Sequence, residues 1–158
     1  MSIETKVSLE SETVEALQDL IQVNLDSQHG FQEAAEQVND APLSKLFREM
    51  AVQRGENAEE LQRYVRLNGE PARVEGSFAA AFHRTWLDMR SLLNGGDAHV
   101  ILCEAERGED QIKHAYEDVL KKTAASAMND VISQQYVKVK HGHDKIRSLR
   151  DRSKTTQP

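Results

Sequence analysis

Apolar residues recur at spacings of three and four over long stretches of this chain, with no sustained alternation of apolar and polar positions. A period near 3.6 is typical of amphipathic α-helices, whereas half-buried strands alternate with a period of two. None of the three prolines interrupts a periodic stretch, and Pro42 falls where a helix would begin. The pattern therefore predicts an all-α protein.

The periodic stretches divide into four long helices. Capping residues, glycines and charged residues suited to helix ends mark their limits. The predicted bounds are Ser8 to Asp40, Pro42 to Gly69, Asp97 to Lys122, and Ser126 to about residue 152. Because the connections within the first and the second pair are short, each pair is expected to form an antiparallel hairpin.

A shorter helix is predicted between the second and third long helices, after Gly76 and Ser77. Its apolar stripe consists of Phe78, Phe82, Trp86, Met89 and Leu93. Two hairpins joined by one long crossover are the wiring of ferritin-like bundles. We therefore predict an antiparallel, ferritin-like four-helix bundle with an additional crossover helix. The stripe is expected to dock on the bundle, and a dimer contact is the alternative.

The length of 158 residues suits one domain, predicted over 1–158, with a core over about residues 9–152 and a polar tail at 153–158. The single cysteine, Cys103, excludes an internal disulfide framework. Neither a signal-peptide-like apolar run nor a membrane-length apolar segment is present. We therefore expect a cytoplasmic protein that does not enter a membrane.

The formal net charge of −6 is unevenly distributed. Residues 1–40 hold nine acidic side chains and one basic side chain, Lys6, whereas residues 138–154 hold seven basic side chains against Asp144 and Asp151. A basic segment can bind polyanions. The first and last helices of a bundle are commonly neighbours, so we prefer charge complementation between them and do not expect nucleic acid as a partner.

Polar residues interrupt the apolar face of each long helix when it is projected at about 100° per residue. His143 also points inward, whereas Asp26 projects outward. The predicted buried polar layer comprises Asn24, Gln28, Arg54, Asn57, Glu109 and Gln135. A single inward acid beside a single inward cation predicts an Arg54–Glu109 ion pair surrounded by amides, because unpaired buried polar groups cost about 1–3 kcal/mol each.

Metal chemistry is the second interpretation of the same interior. Ferritin-like metal proteins use one Glu on each of two helices and a Glu-x-x-His motif on each of the others, and this sequence lacks both Glu-x-x-His motifs. Iron or manganese binding by Glu104, Glu109 and His143 is kept as an alternative. No cofactor is predicted as the first choice. Since hydrolase and nucleotide-binding motifs are also absent, we do not favour an enzyme.

Four glycines, Gly30, Gly55, Gly108 and Gly142, interrupt the long helices. Each costs about 1 kcal/mol relative to alanine. We interpret them as points where the backbones of neighbouring helices approach closely. A niche for a small ligand beside the polar layer is the alternative.

Four segments carry a family resemblance: Phe82–Trp86, Gly95–Asp97, Glu104–Asp110 and His143–Asp151. Together they resemble an uncharacterised bacterial family of ferritin-like four-helix-bundle proteins, of the DUF2383 type. The resemblance extends over nearly the whole chain and implies the fold and a bacterial origin. It implies no activity for any residue.

Three functions follow as hypotheses. The first is a non-catalytic structural, interaction or stress-associated bundle, with a homo-oligomer as a candidate assembly. The second is a divergent iron- or manganese-binding protein of the ferritin-like type. The third is polyanion binding through the basic last helix, which would show a steep dependence on salt.

Overall fold

The computed structural model describes residues 3–75 and 97–155. Four α-helices occupy these ranges, and the only β pairing there is an isolated bridge between Thr5 and Ser8. The helices are α1 (Ser11–Gln37), α2 (Ala41–Leu67), α3 (Ala98–Lys122) and α4 (Asn129–Thr155). Over residues 3–75 and 97–155, the prediction of an all-α fold with four long helices is confirmed. The predicted crossover helix with Trp86 lies outside the described residues.

Side-chain caps explain where two of the helices begin. Asp40 accepts a hydrogen bond from the backbone N–H of Leu43 at 3.0 Å, and Asp97 accepts one from His99 at 2.9 Å. Both carboxylates satisfy N–H groups that the first turn leaves unpaired. The predicted cap at Ser8 is wrong, because the backbone of Ser8 pairs with Thr5 and α1 begins three residues later, at Ser11.

The helices form two antiparallel hairpins. In the first, the backbone N–H of Leu9, just before α1, donates to Asn68 at the end of α2. In the second, the Arg150 guanidinium binds Glu106, near the opposite ends of α4 and α3. α1 also packs on α3, which joins the two hairpins.

α2 and α3 run in the same direction. Residues 43–51 and 101–105, from their N-terminal halves, share one apolar cluster, whereas residues 61–65 and 112–119, from their C-terminal halves, share another. Each helix is about 40 Å long at 1.5 Å per residue.

The two apolar clusters fill the two halves of the bundle, with polar residues between them. The first cluster contains Phe31, Phe47, Met50, Ile101 and Ile146, among others; the second contains Leu17, Ile21, Leu61, Ile112 and Ile132, among others. On α2 and α3 the cluster boundary falls at Arg54 and Glu109, both fully buried. The polar layer thus occupies the middle of the bundle.

α4 continues through Thr155, three residues into the segment predicted as a polar tail. Ser153 donates its hydroxyl to the carbonyl of Arg150 at 2.7 Å, and His99 Nδ1 lies 3.0 Å from the same carbonyl. These contacts tie the last turn of α4 to the start of α3. Within the described ranges, no helix is long and apolar enough to cross a membrane.

Candidate functional site

Arg54 and Glu109 form an ion pair in the polar layer, and both side chains are 0% exposed. α2 and α3 present them toward each other, so that Arg54 Nη2 donates to Glu109 Oε2. Arg54 Nη1 donates to Gln53 Oε1 at 2.8 Å. The ion pair expected from the sequence is present. Arg54 Nε and Glu109 Oε1 are buried without a hydrogen-bond partner among the described residues.

Burial raises the pKa of Glu109 above its ordinary value, although the charge and hydrogen bond of Arg54 act in the opposite direction. The pKa stays raised although Arg54 lowers it, so burial disfavours the charged carboxylate more strongly than the guanidinium favours it. Arg54 is therefore required to compensate a charge that water cannot reach. Replacing one partner of such a pair lowers the free energy of unfolding far more than the intact pair raises it.

A hydrogen-bond network next to the ion pair connects all four helices. Asn24 of α1 donates to Tyr116 Oη of α3 at 2.8 Å, and that hydroxyl donates to Gln135 Oε1 of α4 at 2.7 Å. Gln135 Nε2 donates to Glu60 Oε1 of α2 at 2.7 Å and to the carbonyl of Asn57 at 3.2 Å. Because each link requires one relative placement of two helices, the network fixes their register.

Five of the six residues predicted for the polar layer are buried: Asn24, Arg54, Asn57, Glu109 and Gln135. The sixth, Gln28, is half-buried and lies over Gly55. Tyr116 is absent from the predicted polar layer, yet it is the centre of the network. The available signal was its hydroxyl, since a buried tyrosine usually needs a hydrogen-bond partner. Burial raises the pKa of this phenol well above its ordinary value.

At two of the four helix glycines, Gly55 and Gly142, the nearest groups are side chains, so close backbone approach is wrong for these two positions. A Cβ at Gly55 would collide with the Gln28 amide. A Cβ at Gly142 would lie 3.1 Å from Arg54 Nη2 and 3.3 Å from Glu109 Oε2. The missing side chains therefore accommodate the polar layer rather than a neighbouring backbone.

A second polar cluster lies between α3 and α4. His143 Nε2 is 2.6 Å from Asp110 Oδ1 and 3.8 Å from Glu106 Oε1, whereas His143 Nδ1 is 3.3 Å from Asp144 Oδ1. Arg150 binds the other oxygen of Glu106. Within residues 3–75 and 97–155, Glu106, Asp110 and His143 form the single group of three side chains close enough together to hold a metal ion.

The metal ligands predicted from the sequence are divided among different partners. Glu104 pairs with Arg107 at 3.2 Å, and Glu109 pairs with Arg54. His143 contacts Glu106 and Asp110 instead. The sequence feature that indicates this group is the spacing of Glu106 and Asp110, because residues four apart lie on one face of a helix.

Asp26 was projected outward, and this was wrong, because it is 2% exposed. α1 packs against both α2 and α3. Two neighbouring helices bury more of the circumference of α1 than its apolar stripe occupies, and Asp26 lies in the additional buried part.

Some basic residues of α4 are neutralised by other helices. Lys145 lies 3.7 Å from Glu49 of α2, and Arg150 binds Glu106 of α3. The prediction placed the complementary acids on the first helix, whereas these partners belong to α2 and α3. The neutralisation reduces the positive charge that α4 can offer to a polyanion.

Comparison with known proteins identifies the family. A model described as "Domain of unknown function (DUF2383)" matches residues 12–122, which is more than half of the chain. The chain therefore belongs to this family. The match takes in most of α1 and all of α2 and α3, and it ends before α4, so His143 lies beyond it. No curated protein matches the chain.

Proposed function

We propose that this chain is a ferritin-like bundle with a non-catalytic structural or interaction role. The parallel direction of α2 and α3, between two antiparallel hairpins, supports the ferritin-like topology, because one long crossover distinguishes those folds from bundles with short loops throughout.

The Arg54–Glu109 pair is the observation that carries the proposal. A two-metal carboxylate cage needs several inward acids, because hard dications prefer multiple oxygen ligands. The fully buried carboxylate of this layer, Glu109, is instead paired with the Arg54 guanidinium, and the part-buried Glu60 carboxylate accepts from Gln135. The residues present therefore do not fit a central two-metal site, and no reaction step is assigned to one.

The hydrogen-bond network supports a structural role for the same layer. Asn24, Tyr116 and Gln135 connect three helices by short hydrogen bonds, and Glu60 adds the fourth. A satisfied buried network specifies one register among the many that apolar packing alone would allow. A bundle held in one register presents the same surface to any binding partner, which suits a structural or interaction role.

The alternatives have weaker support. Iron or manganese binding through Glu104 and Glu109 would require both acids to leave their arginine partners. Polyanion binding would depend on the exposed Lys138, Lys140 and Arg147 in a chain whose net charge is −6. A bacterial origin, a cytoplasmic location and a homo-oligomeric state stay predictions, and light scattering on the purified chain would determine the oligomeric state.

Metal stoichiometry tests the proposal. The protein would be purified without chelators, loaded with Fe(II) or Mn(II), desalted and analysed for bound metal. The proposal predicts at most one ion per chain. Two tightly held ions per chain would contradict it, because two ions are the signature of the central carboxylate cage.

A further inference from the structure

Three side chains suited to metal binding converge where α3 faces α4. One ligand atom from each of Glu106, Asp110 and His143 lies within 4.8 Å of the other two. Ligands that each lie about 2.1 Å from a shared ion are about 3–4 Å apart. Small side-chain rotations would therefore bring all three to coordinating distance.

Neighbouring groups orient two of these three ligands. Asp144 Oδ1 lies 3.3 Å from His143 Nδ1, so a proton on Nδ1 leaves the lone pair of Nε2 directed toward Asp110 and Glu106. A carboxylate on the distal nitrogen is the usual way in which a metal-binding imidazole is held. Arg150 occupies one oxygen of Glu106, which leaves Oε1 on the side of His143.

The location favours a bound cation. The side chains of His143 and Glu106 are only 6% and 12% exposed, whereas Asp110 is 48% exposed and provides a route from solvent. Two guanidinium groups, Arg54 and Arg150, face four carboxylates in and beside the cluster: Glu106, Glu109, Asp110 and Asp144. The surroundings therefore carry an excess of negative charge.

The fully buried Glu109 carboxylate supplies an independent observation. Glu109 Oε2 lies against α4 at Gly142, one residue before His143, and Glu109 Oε1 has no hydrogen-bond partner among the described residues. A buried carboxylate oxygen without a donor costs free energy that a nearby cation would offset. The Glu109 carboxylate interacts electrostatically with His143 and Asp110, so it adds to the negative potential at the cluster.

We propose that Glu106, Asp110 and His143 bind one divalent transition-metal ion that joins α3 to α4. One imidazole and two carboxylates suit Zn²⁺, Mn²⁺, Fe²⁺ or Co²⁺, and water would complete the coordination on the exposed side of Asp110. The ion is structural, and the site does not depend on the proposed function of the bundle. It differs from the ligand set predicted from the sequence by using Glu106 and Asp110 in place of Glu104 and Glu109.

Titration of the purified full chain with Co(II) alone, followed by visible absorbance, and with Zn(II) alone, followed by calorimetry, tests the site. We expect one ion per chain. Asp110→Asn and His143→Gln should each weaken affinity at least about 10-fold, the smallest loss typical of disturbed metal sites. Asp118→Asn and His141→Gln, exposed on the same two helices, are the matched controls and should bind like the wild type.

Circular dichroism melting of each variant shows whether it folds, and the half-exposed Asp110 is the position at which folding is least at risk. Failure of the wild type to bind either metal would overturn the proposal and leave the cluster as a set of polar contacts between α3 and α4. Binding that a folded Asp110→Asn variant retains at full strength would also overturn it. Neither result bears on the central ion pair, which the Fe(II) and Mn(II) stoichiometry tests separately.

Discussion

Arg54 of α2 donates from Nη2 to Glu109 Oε2 of α3, and solvent reaches neither side chain. The pair lies between two apolar clusters and beside a network that links all four helices. Since α2 and α3 are parallel and are not consecutive helices of one hairpin, this pair connects the two hairpins directly. The pair is therefore the strongest candidate for a register-fixing contact.

Replacing Arg54 alone should destabilise the protein severely. Arg54→Met leaves the buried Glu109 carboxylate uncompensated, and breaking a buried pair from one side costs about 3–5 kcal/mol. The free energy of unfolding, measured by urea denaturation, should fall by that amount. Arg63→Met, an exposed arginine on the same helix, is the control and should change stability by less than about 0.5 kcal/mol.

The double variant Arg54→Met with Glu109→Leu extends this test. Replacing both charges with apolar groups of similar size removes the desolvation cost, so most of the lost stability should return. A cost below about 1 kcal/mol for Arg54→Met would show that the guanidinium does not compensate Glu109. In that case the ion pair would not be the contact that fixes the register of the helices.

Tyr116→Phe should cost about 1–3 kcal/mol, because it removes the hydroxyl that accepts from Asn24 and donates to Gln135. Tyr136→Phe is the matched control. Its hydroxyl donates to Glu117 at 2.7 Å, but the residue is only half-buried, so the loss should be smaller, about 0.5–1.5 kcal/mol. Thermal unfolding of the two variants compares them. Equal losses would show that the buried Tyr116 hydroxyl stabilises the protein no more than the half-buried Tyr136 hydroxyl does.

Alanine at Gly142 and at Gly55 should have different effects. At Gly142 the new Cβ would lie 3.0 Å from Met50 Cε and 3.1 Å from Arg54 Nη2, in a packed interior. Overpacking of about 1–3 kcal/mol then exceeds the gain in helix propensity of about 1 kcal/mol. At Gly55 the obstacle is the flexible end of the half-buried Gln28, which can move aside.

We therefore expect Gly142→Ala to lower the midpoint of urea unfolding and Gly55→Ala to leave it unchanged or raise it. A stabilised Gly142→Ala protein would show that the polar layer has spare room at that position. That outcome would favour the ligand niche over the filled interior.

Glu4 attaches the N-terminal segment to the turn between α3 and α4. Its Oε1 accepts from the Ser126 hydroxyl and from the Ala127 N–H at 3.1 Å, and its Oε2 accepts from the Thr13 hydroxyl at 2.8 Å and the Glu10 N–H at 3.1 Å. Burial on its own would raise the pKa of Glu4, but the four hydrogen bonds together lower it below the ordinary value of 4.5.

A lowered pKa makes this contribution to stability complete above about pH 4.5 and progressively lost as the pH falls through the folded-state value. Glu4→Gln should therefore cost about 1 kcal/mol at about pH 7 and much less at about pH 3. Urea unfolding at both pH values measures the difference. Glu12→Gln, exposed in the first turn of α1, is the control, and an equal pH response of the two variants would contradict the role of Glu4.

The sequence was sufficient for the helices and for the central pair. A period of 3.6 is a property of each segment alone, and the predicted cap Asp97 acts within one turn, so neither depends on the rest of the fold. Arg54 and Glu109 could be paired because each was the single inward charge of its helix, and opposite buried charges require each other.

The cluster at His143 could not be assembled in the same way. Which carboxylates meet this imidazole depends on the rotation of α3 relative to α4, and that rotation is set by packing rather than by periodicity. A projection therefore selected Glu104 and Glu109, whereas the contacts are with Glu106 and Asp110. The same limit explains why Tyr116 is absent from the predicted polar layer.

Oxygen uptake during Fe(II) addition tests the non-catalytic role of the bundle most directly. Fe(II) would be added under air to the wild-type protein and to a protein-free buffer, with dissolved oxygen recorded continuously. A non-catalytic bundle should lose oxygen no faster than the buffer, because Arg54 and Glu109 fill the place that a two-metal carboxylate site would need. Protein-dependent oxygen consumption that Glu109→Gln abolishes would contradict it.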